Sequence, residues 1–98
     1  MEIIFATGVL EKVSAAADFY ETEVEGLGKA FLQKLAEGIE EVKENPFLYR
    51  IIKGDIRRHL LSKFPFGIIY RIEGKKIYVV AVMHLRRKPF YWLERVKK

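Results

Sequence analysis

The residues of this chain that could do chemistry are basic and aromatic side chains in three clusters, all in the second half of the sequence. The clusters are residues 57–59, 70–71 and 84–88, and three aromatic residues, 90–92, follow closely. An arginine guanidinium offers a rigid fork of donors that matches a carboxylate or a phosphate, and it stays charged when partly buried. Aromatic rings beside it could stack on bases or fill a pocket of a partner protein. The clusters therefore predict a surface that binds an acidic protein or a nucleic acid.

Several of these residues also have a purely structural interpretation. Tyr91 and Trp92 could pack into the core as part of a terminal helix, and His84 could be held by a backbone group at the end of a strand. Arg86 and Arg87 favour the functional interpretation, because two adjacent arginines at the end of an apolar strand are costly without an anion beside them.

Motifs for other kinds of chemistry are missing from the sequence. Residues 26–28, Gly-Leu-Gly, lack the preceding strand and the third glycine of a phosphate-binding loop, so we interpret them as a turn. His59 and His84 are far apart with no carboxylate at ligand spacing, and the chain has no cysteine. We therefore expect neither a metal site nor a cofactor. The adjacent Glu40 and Glu41 are interpreted as the solvated face of a helix.

The composition indicates one domain with a divided charge. The 98 residues suffice for one modest core, so residues 1–98 are interpreted as a single domain. No apolar run approaches the ~20 residues of a membrane span, and the N-terminus lacks the pattern of a signal peptide, which favours the cytoplasm. Residues 1–45 hold four Lys or Arg against ten Asp or Glu, whereas residues 46–98 hold fourteen against three. The strongly basic second half is expected to attract an acidic partner.

The elements that must position the clusters are two helices and a set of strands. In chain order we predict a strand at residues 2–7, helices from Val9 and over residues 29–44, and strands over residues 56–63, 68–73 and 77–84. A short final helix is predicted to begin at Pro89. The fold class is therefore α+β, with an N-terminal strand and a helical hairpin packed on one face of a small antiparallel β-sheet, and a short C-terminal helix.

Side chains along the last predicted strand are expected to alternate between the two faces of the sheet. One face would carry Ile77, Val79, Ala81 and Met83, and the other Tyr78, Val80, Val82 and His84. The sequence leaves open which of these faces lies beneath the helices.

Further motifs follow one another along nearly the whole chain. They are Asp18-Phe19-Tyr20, Gly26-Leu27-Gly28 with Phe31, Asn45-Pro46, Ile56-Arg57-Arg58 with Leu60-Leu61, the block Phe64-Pro65-Phe66-Gly67-Ile68-Ile69-Tyr70-Arg71, and His84-x-Arg86-Arg87-x-Pro89-x-Tyr91-Trp92. In this order and spacing they resemble the RelE/ParE toxin superfamily, and most closely its ParE-like plasmid stabilisation branch.

The resemblance implies the toxin of a type II toxin–antitoxin pair, neutralised by an acidic, partly disordered antitoxin that is encoded beside it. A homodimer, or a heterotetramer with the antitoxin, would be compatible with it. The residues expected to bind the antitoxin or a nucleic acid are Arg57, Arg58, Arg71, Arg86, Arg87 and Lys88.

Members of the superfamily act in two ways. ParE-like members inhibit DNA gyrase and have no known hydrolytic site, whereas RelE-like members cleave mRNA on the ribosome without a metal. In a nuclease the candidate catalytic residues of this chain would be Arg58, His84, Arg86 and Tyr91.

Two positions favour gyrase inhibition over cleavage. The nuclease branch usually carries an arginine directly after the strand aromatic, where this chain has Gly67, and a lysine in the preceding strand, where it has Leu60. Loss of two cations that hold the phosphate would remove much of the transition-state stabilisation. A ribosome-dependent endoribonuclease stays the alternative, and a toxin-fold protein that has lost its toxicity and only binds a partner is the third.

Overall fold

Two helices lie between the first and the second strand in the structure, a computed structural model that describes residues 1–86. The elements are β1 Glu2–Phe5, α1 Val9–Glu23, α2 Leu27–Glu44, β2 Arg50–Lys53, β3 Ile56–Leu60, β4 Phe66–Glu73 and β5 Lys76–His84. Both helices pack on one face of a five-stranded sheet, which confirms the predicted α+β class. The helix predicted from Pro89 lies outside the described residues. Within residues 1–86, no helix is long and apolar enough to span a membrane.

The sheet is mixed rather than wholly antiparallel. Its strand order is β1-β5-β4-β3-β2, and β1 pairs in parallel with β5, whereas the other three pairings are antiparallel. We expected a wholly antiparallel sheet because tight turns join the strands of its second half, and strands joined by a tight turn are antiparallel. A long connection separates β1 from β5, and such a connection permits parallel pairing.

The short strand β2 was not predicted from the sequence. Its four residues pair with β3 across a two-residue connection, Gly54-Asp55, in which Gly54 has φ 58°. A positive φ favours glycine, and Gly-Asp between two β-prone runs is typical of a hairpin. This pairing places β2 at one edge of the sheet.

The turn between the helices is organised by one glutamate and a close contact between the helices. The carboxylate of Glu21 accepts from the backbone N–H of Gly26 at 2.7 Å and from that of Gly28 at 2.9 Å. These bonds satisfy N–H groups that have no partner within α2, so α2 begins at Leu27, two residues before its predicted start. A β-carbon at Gly28 would collide with the carbonyl oxygen of Ala17, and glycine therefore lets the two helices approach closely.

The main core lies between the helices and the sheet, as the helical spacing of apolar residues predicts. Its helical side is formed by Val9, Val13, Ala17, Phe31, Leu35 and Val42, and its sheet side includes Phe66, Ile68, Tyr70, Ile77, Val79 and Val82. Phe31 and Tyr70 are the largest side chains in it that are fully buried. This core holds the helical hairpin on the sheet and fixes which strand residues face the helices.

A bulge in β5 interrupts the alternation expected along that strand. Tyr70 of β4 pairs with Val79, but the preceding residue, Ile69, pairs with Ala81, so Val80 is the extra residue of a β-bulge. Beyond the bulge the faces exchange, and Val82 instead of Ala81 points to the main core. The predicted face assignment therefore holds through Val80 and is wrong from Ala81 onward.

The second face, defined here as the sheet surface opposite α1 and α2, carries a smaller apolar cluster. Its buried members are Ile56, Ile69, Val80 and Ala81, with Ile52 and Met83 packed at the margin. Leu60 lies on this face too and is 48% exposed.

Candidate partner-binding face

Strand β3 divides the predicted basic cluster between the two sides of the sheet. Arg57 and His59 are paired with residues of β4 that belong to the main core, so both point to the helices. Arg58 is paired with Ile69 and points to the second face. Adjacent residues in a strand point in opposite directions, so these three residues do not form one site.

Arg57 is held by the chain itself. Its Nη1 donates to the carbonyl oxygens of Phe47 at 3.0 Å and Tyr49 at 2.7 Å, and its guanidinium carbon lies 5.5 Å from the centre of the Phe47 ring. The hydroxyl of Tyr70 donates to the carbonyl oxygen of Pro46 at 2.7 Å beside it. Arg57 thus fastens the connection between α2 and β2 to the sheet, a role that requires neither antitoxin nor nucleic acid.

Arg58 lies across Gly67 on the second face. A β-carbon built at Gly67 would be 3.1 Å from Cγ and 3.3 Å from Cδ of Arg58, tighter than an ordinary contact. Leu60 approaches the same position at 3.7 Å. The absence of a side chain at residue 67 therefore lets the aliphatic part of Arg58 rest on β4. An arginine at residue 67, as in the nuclease branch, would have to displace Arg58.

A second arginine, Arg50, stands beside Arg58 and was missed in the sequence. The two residues are direct partners in the pairing of β2 with β3, and Arg50 is exposed. Among residues 1–86, no acidic side chain forms an ion pair with Arg50 or Arg58. Like charges placed directly opposite one another in a sheet are destabilising, unless an anion comes between them. The Gly-Asp turn that joins β2 to β3 was the signal that could have located Arg50.

Arg71 lies on the second face as well, but its charge is paired within the chain. Its Nη1 lies 3.0 Å from Oε2 of Glu73, and its guanidinium carbon lies 5.2 Å from the centre of the Tyr78 ring. The ion pair is partly exposed, and pairs of this kind contribute little to stability. Arg71 could therefore exchange Glu73 for a carboxylate of a partner at small cost.

His84 points to the side of the helices. It is paired with Phe66, and the two rings meet edge to face with their centres 5.2 Å apart. Its Nδ1 accepts a hydrogen bond of 3.0 Å from the backbone N–H of Arg86. The neutral ring must then carry its proton on Nε2, and its one lone pair is occupied. In this state His84 has no free lone pair to act as a general base.

The four nuclease candidates are therefore not gathered at one point in the described part of the chain. Arg58 lies on the second face, and His84 lies on the opposite side of the sheet. Arg86 follows β5 in a turn, where its backbone contacts His84. Tyr91 lies outside the described residues, as do Arg87 and Lys88 of the predicted binding surface.

Comparison with known proteins identifies the family. The sequence model of the family described as the ParE toxin of the type II toxin–antitoxin system, parDE, matches residues 3–89. A solved structure described as the chromosomal ParDE TA system from P. aeruginosa has a similar fold, with a TM-score of 0.64 and 19% sequence identity. The alignment covers 86% of this chain and 95% of that one. The comparison with curated proteins found no match.

The family match extends over most of the 98 residues and includes all the strands and helices described above except the first residue of β1, Glu2. The mixed sheet beneath a helical hairpin is also the fold shared with the ParDE structure. The chain belongs to the ParE toxin family of type II toxin–antitoxin systems.

Proposed function

We propose that this toxin inhibits DNA gyrase by binding to it in the cytoplasm, and that an acidic antitoxin encoded beside it holds it inactive. The observation that carries the proposal is the separation of Arg58 from His84 by the sheet. In RNA cleavage, the general base and the cations that bind the phosphate must lie together at the reacting centre. Each must be within hydrogen-bonding distance of the reacting atoms. A toxin that acts by binding has no such requirement.

The composition of the second face adds support. Gly67 and Leu60 lie there at the two positions where a nuclease would carry cations, and Leu60 is paired with Gly67. A phosphate on this face would meet Arg58 and Arg50 without the further cations that stabilise the charge developing in the transition state.

The second face is the surface that we propose for the antitoxin. Arg50 and Arg58 supply positive charge with which no acidic side chain of residues 1–86 forms an ion pair, and the half-exposed Leu60 lies nearby on β3. An acidic segment with interspersed apolar residues would match both features, and it could order on binding. Arg71 and Arg86 would extend the basic surface along β4 and beyond β5, whereas Arg57 is engaged internally.

One observation favours the second candidate function, a ribosome-dependent endoribonuclease. The cross-strand pair of Arg50 and Arg58 could clamp a phosphate, because two guanidinium groups offer several donors to its oxygens. Cleavage by such an enzyme would start from attack by the ribose 2′-hydroxyl and would leave a 2′,3′-cyclic phosphate end.

Two parallel assays separate the candidates. The purified toxin is added to gyrase with relaxed DNA, and separately to ribosomes with bound mRNA, both with and without the antitoxin encoded beside its gene. We expect blocked supercoiling, intact mRNA, and relief of the block by the antitoxin. Cleaved mRNA with normal supercoiling would refute gyrase inhibition and support the endoribonuclease. Inactivity in both assays, with tight antitoxin binding, would refute gyrase inhibition and indicate a toxin-fold protein that only binds.

A further inference from the structure

The apolar cluster at the centre of the second face is shielded from solvent. Ile69 and Ala81 have no exposed surface, and Val80 and Ile56 are only 4% and 5% exposed. All four lie in strands of the sheet itself, so they stand beside one another on one surface. Side chains stand roughly perpendicular to a sheet, and neighbours in the same surface shield only their flanks. Exposures this low therefore require a second layer above the cluster.

The side chains around Ile69 do not supply that layer. Its neighbours on this face are Gly67 and Arg71 along β4, and Arg58 and Ala81 on the adjacent strands. The glycine and the alanine are too small to cover an isoleucine. Both arginines are directed elsewhere, because the aliphatic part of Arg58 lies against Gly67 and Arg71 pairs with a glutamate of its own strand.

The other elements within residues 1–86 lie on the opposite face or at the ends of the strands. Helices α1 and α2 pack on the opposite face, in the main core. The connections that precede β2 and β4 turn to that side too, since Tyr49, Leu61 and Phe64 contact or belong to the main core. The shielding is also a property of the single chain, with no partner present. The part of the sequence that follows Arg86 is left as the source of the second layer.

This part of the sequence has the composition and the length that such a layer needs. Five of its twelve residues are aromatic or large and apolar, and their burial is favourable: Phe90, Tyr91, Trp92, Leu93 and Val96. Residues 85–86 form a turn directly after β5.

The distance to the cluster is short for twelve residues. At about 3.3 Å per residue, Ala81 lies about 10 Å back along β5 from His84, where the strand ends. Twelve residues span about 18 Å as a helix and up to about 40 Å when extended. The segment could therefore reach across the cluster in either conformation.

We infer that residues 87–98 fold back over the second face and cover Ile69, Val80 and Ala81, with the aromatic residues 90–92 against them. This inference goes beyond the proposed function and does not rest on it. The edge of the face at β2 and β3 stays open, because Arg50 is exposed and Leu60 is 48% exposed. The antitoxin would then contact that edge and not the apolar centre.

Fluorescence of the full-length toxin tests this inference, because Trp92 is the only tryptophan of the chain. In the folded wild type its emission should be blue-shifted, and acrylamide should quench it severalfold less than in the urea-unfolded chain. Ala81→Arg places a charge beneath the proposed layer, and burial of an unpaired charge is costly. Its emission and quenching should therefore move towards those of the unfolded chain. The matched controls are Ala15→Arg, exposed on α1, and Leu60→Arg, at the open edge, and both should keep the wild-type values.

A second measurement decides the outcome if Ala81→Arg fails to fold, which circular dichroism would reveal. Nuclear Overhauser effects in the wild type should connect the indole of Trp92 with methyl groups of Ile69 or Val80. Their absence, or effects that connect Trp92 only with α1 or α2, would overturn the inference. Equal quenching in the folded and unfolded wild type, or unchanged emission and quenching in folded Ala81→Arg, would overturn it as well.

Two further results would assign the cover to another molecule and would also overturn the inference. Protection of Trp92 only at concentrations where sedimentation detects a dimer would indicate a second copy of the chain. Protection that requires added antitoxin would indicate the antitoxin. Because no measurement involves gyrase, these results would leave the proposed inhibition of gyrase standing.

Discussion

At the scale of single residues, Tyr70 has a buried hydroxyl whose ionisation should govern stability in alkali. The ring is fully buried, and its hydroxyl donates to the carbonyl oxygen of Pro46. Burial raises the pKa of Tyr70 to about 12, and the nearby charge of Arg57 opposes this only in part. A phenol that stays neutral in the folded chain ionises more readily in the unfolded chain, since its ordinary pKa is about 10. Stability therefore falls as the pH rises between these two values.

We predict that the free energy of unfolding of the wild type falls by about 2–3 kcal/mol between pH 10 and pH 12, because Tyr70 ionises in the unfolded chain. Urea titrations of the wild type and of Tyr70→Phe across this range measure the effect. The variant should be less stable at pH 7 by about 1–2 kcal/mol, because the Pro46 carbonyl loses its donor. Its further loss in alkali should be smaller than that of the wild type. Parallel curves for the two proteins would contradict the account.

Gly67 and Arg58 should act as a unit in antitoxin binding. Gly67→Ala would push the aliphatic part of Arg58 away from β4, because the new β-carbon approaches it at 3.1 Å. We predict severalfold weaker antitoxin binding with a change in stability of under about 1 kcal/mol, since a flexible side chain can move.

A double-mutant cycle supplies the control for this pair. In a chain that already carries Arg58→Ala, the change Gly67→Ala should alter antitoxin affinity little, because no side chain is left to displace. Equal effects of Gly67→Ala in the two backgrounds, measured by calorimetry, would show that Gly67 does not position Arg58.

At the scale of elements, the helical hairpin depends on the close approach at Gly28. We predict that Gly28→Ala lowers the free energy of unfolding by about 2–3 kcal/mol, because the β-carbon would force α2 away from the Ala17 carbonyl. Urea unfolding measures the change. Lys29→Ala, at the exposed neighbouring position, should stay within about 0.5 kcal/mol of the wild type. A stable Gly28→Ala variant would mean that the two helices can separate without cost.

The elements show which parts of the fold the sequence could predict. The apolar residues at helical spacing, among them Val9 and Val13 of α1 and Phe31 of α2, lie in the core as predicted. The apolar face of an amphipathic helix is the face that becomes buried. The bulge at Val80 could not be read from an unbroken apolar run, since every residue there is compatible with either face. The parallel pairing of β1 depends on contacts between distant residues, and local patterns carry no signal for it.

The candidate site was predicted only in part, for the same reason. Arg58 and Arg71 do lie on the second face. Arg57 instead points to the helices because of its position in the strand, and it donates to a backbone carbonyl there. Arg50 was overlooked because β2 is only four residues long. Nε2 of His59 lies 2.8 Å from Oε1 of Glu41. The two residues are eighteen positions apart in the sequence, so their spacing did not predict this contact.

At the scale of the whole molecule, the divided charge should control the association with the antitoxin. Binding should weaken as salt is added, because the long-range attraction of the basic half is screened over about 10 Å at 0.1 M. Reversing both Arg50 and Arg58 to glutamate should weaken binding by at least about tenfold and flatten the salt dependence.

A control with the same change in net charge distinguishes the second face from bulk charge. Lys75 and Lys76 are exposed at the turn between β4 and β5, and reversing both to glutamate changes the net charge by the same amount. We expect a much smaller loss of affinity for this pair. Equal losses would indicate that total charge, and not the cross-strand arginine pair, drives the association.

The most direct test of the account is a titration of gyrase supercoiling activity with the purified toxin at fixed gyrase concentration. A tight-binding inhibitor inactivates its target in a fixed stoichiometric ratio. Supercoiling activity should therefore decrease as the ratio of toxin to gyrase increases, and it should not depend on the incubation time. His84→Ala should inhibit as well as the wild type, because the proposed mechanism gives this side chain no chemical step. Unchanged supercoiling at saturating toxin, with time-dependent cleavage of ribosome-bound mRNA that His84→Ala abolishes, would contradict the central claim.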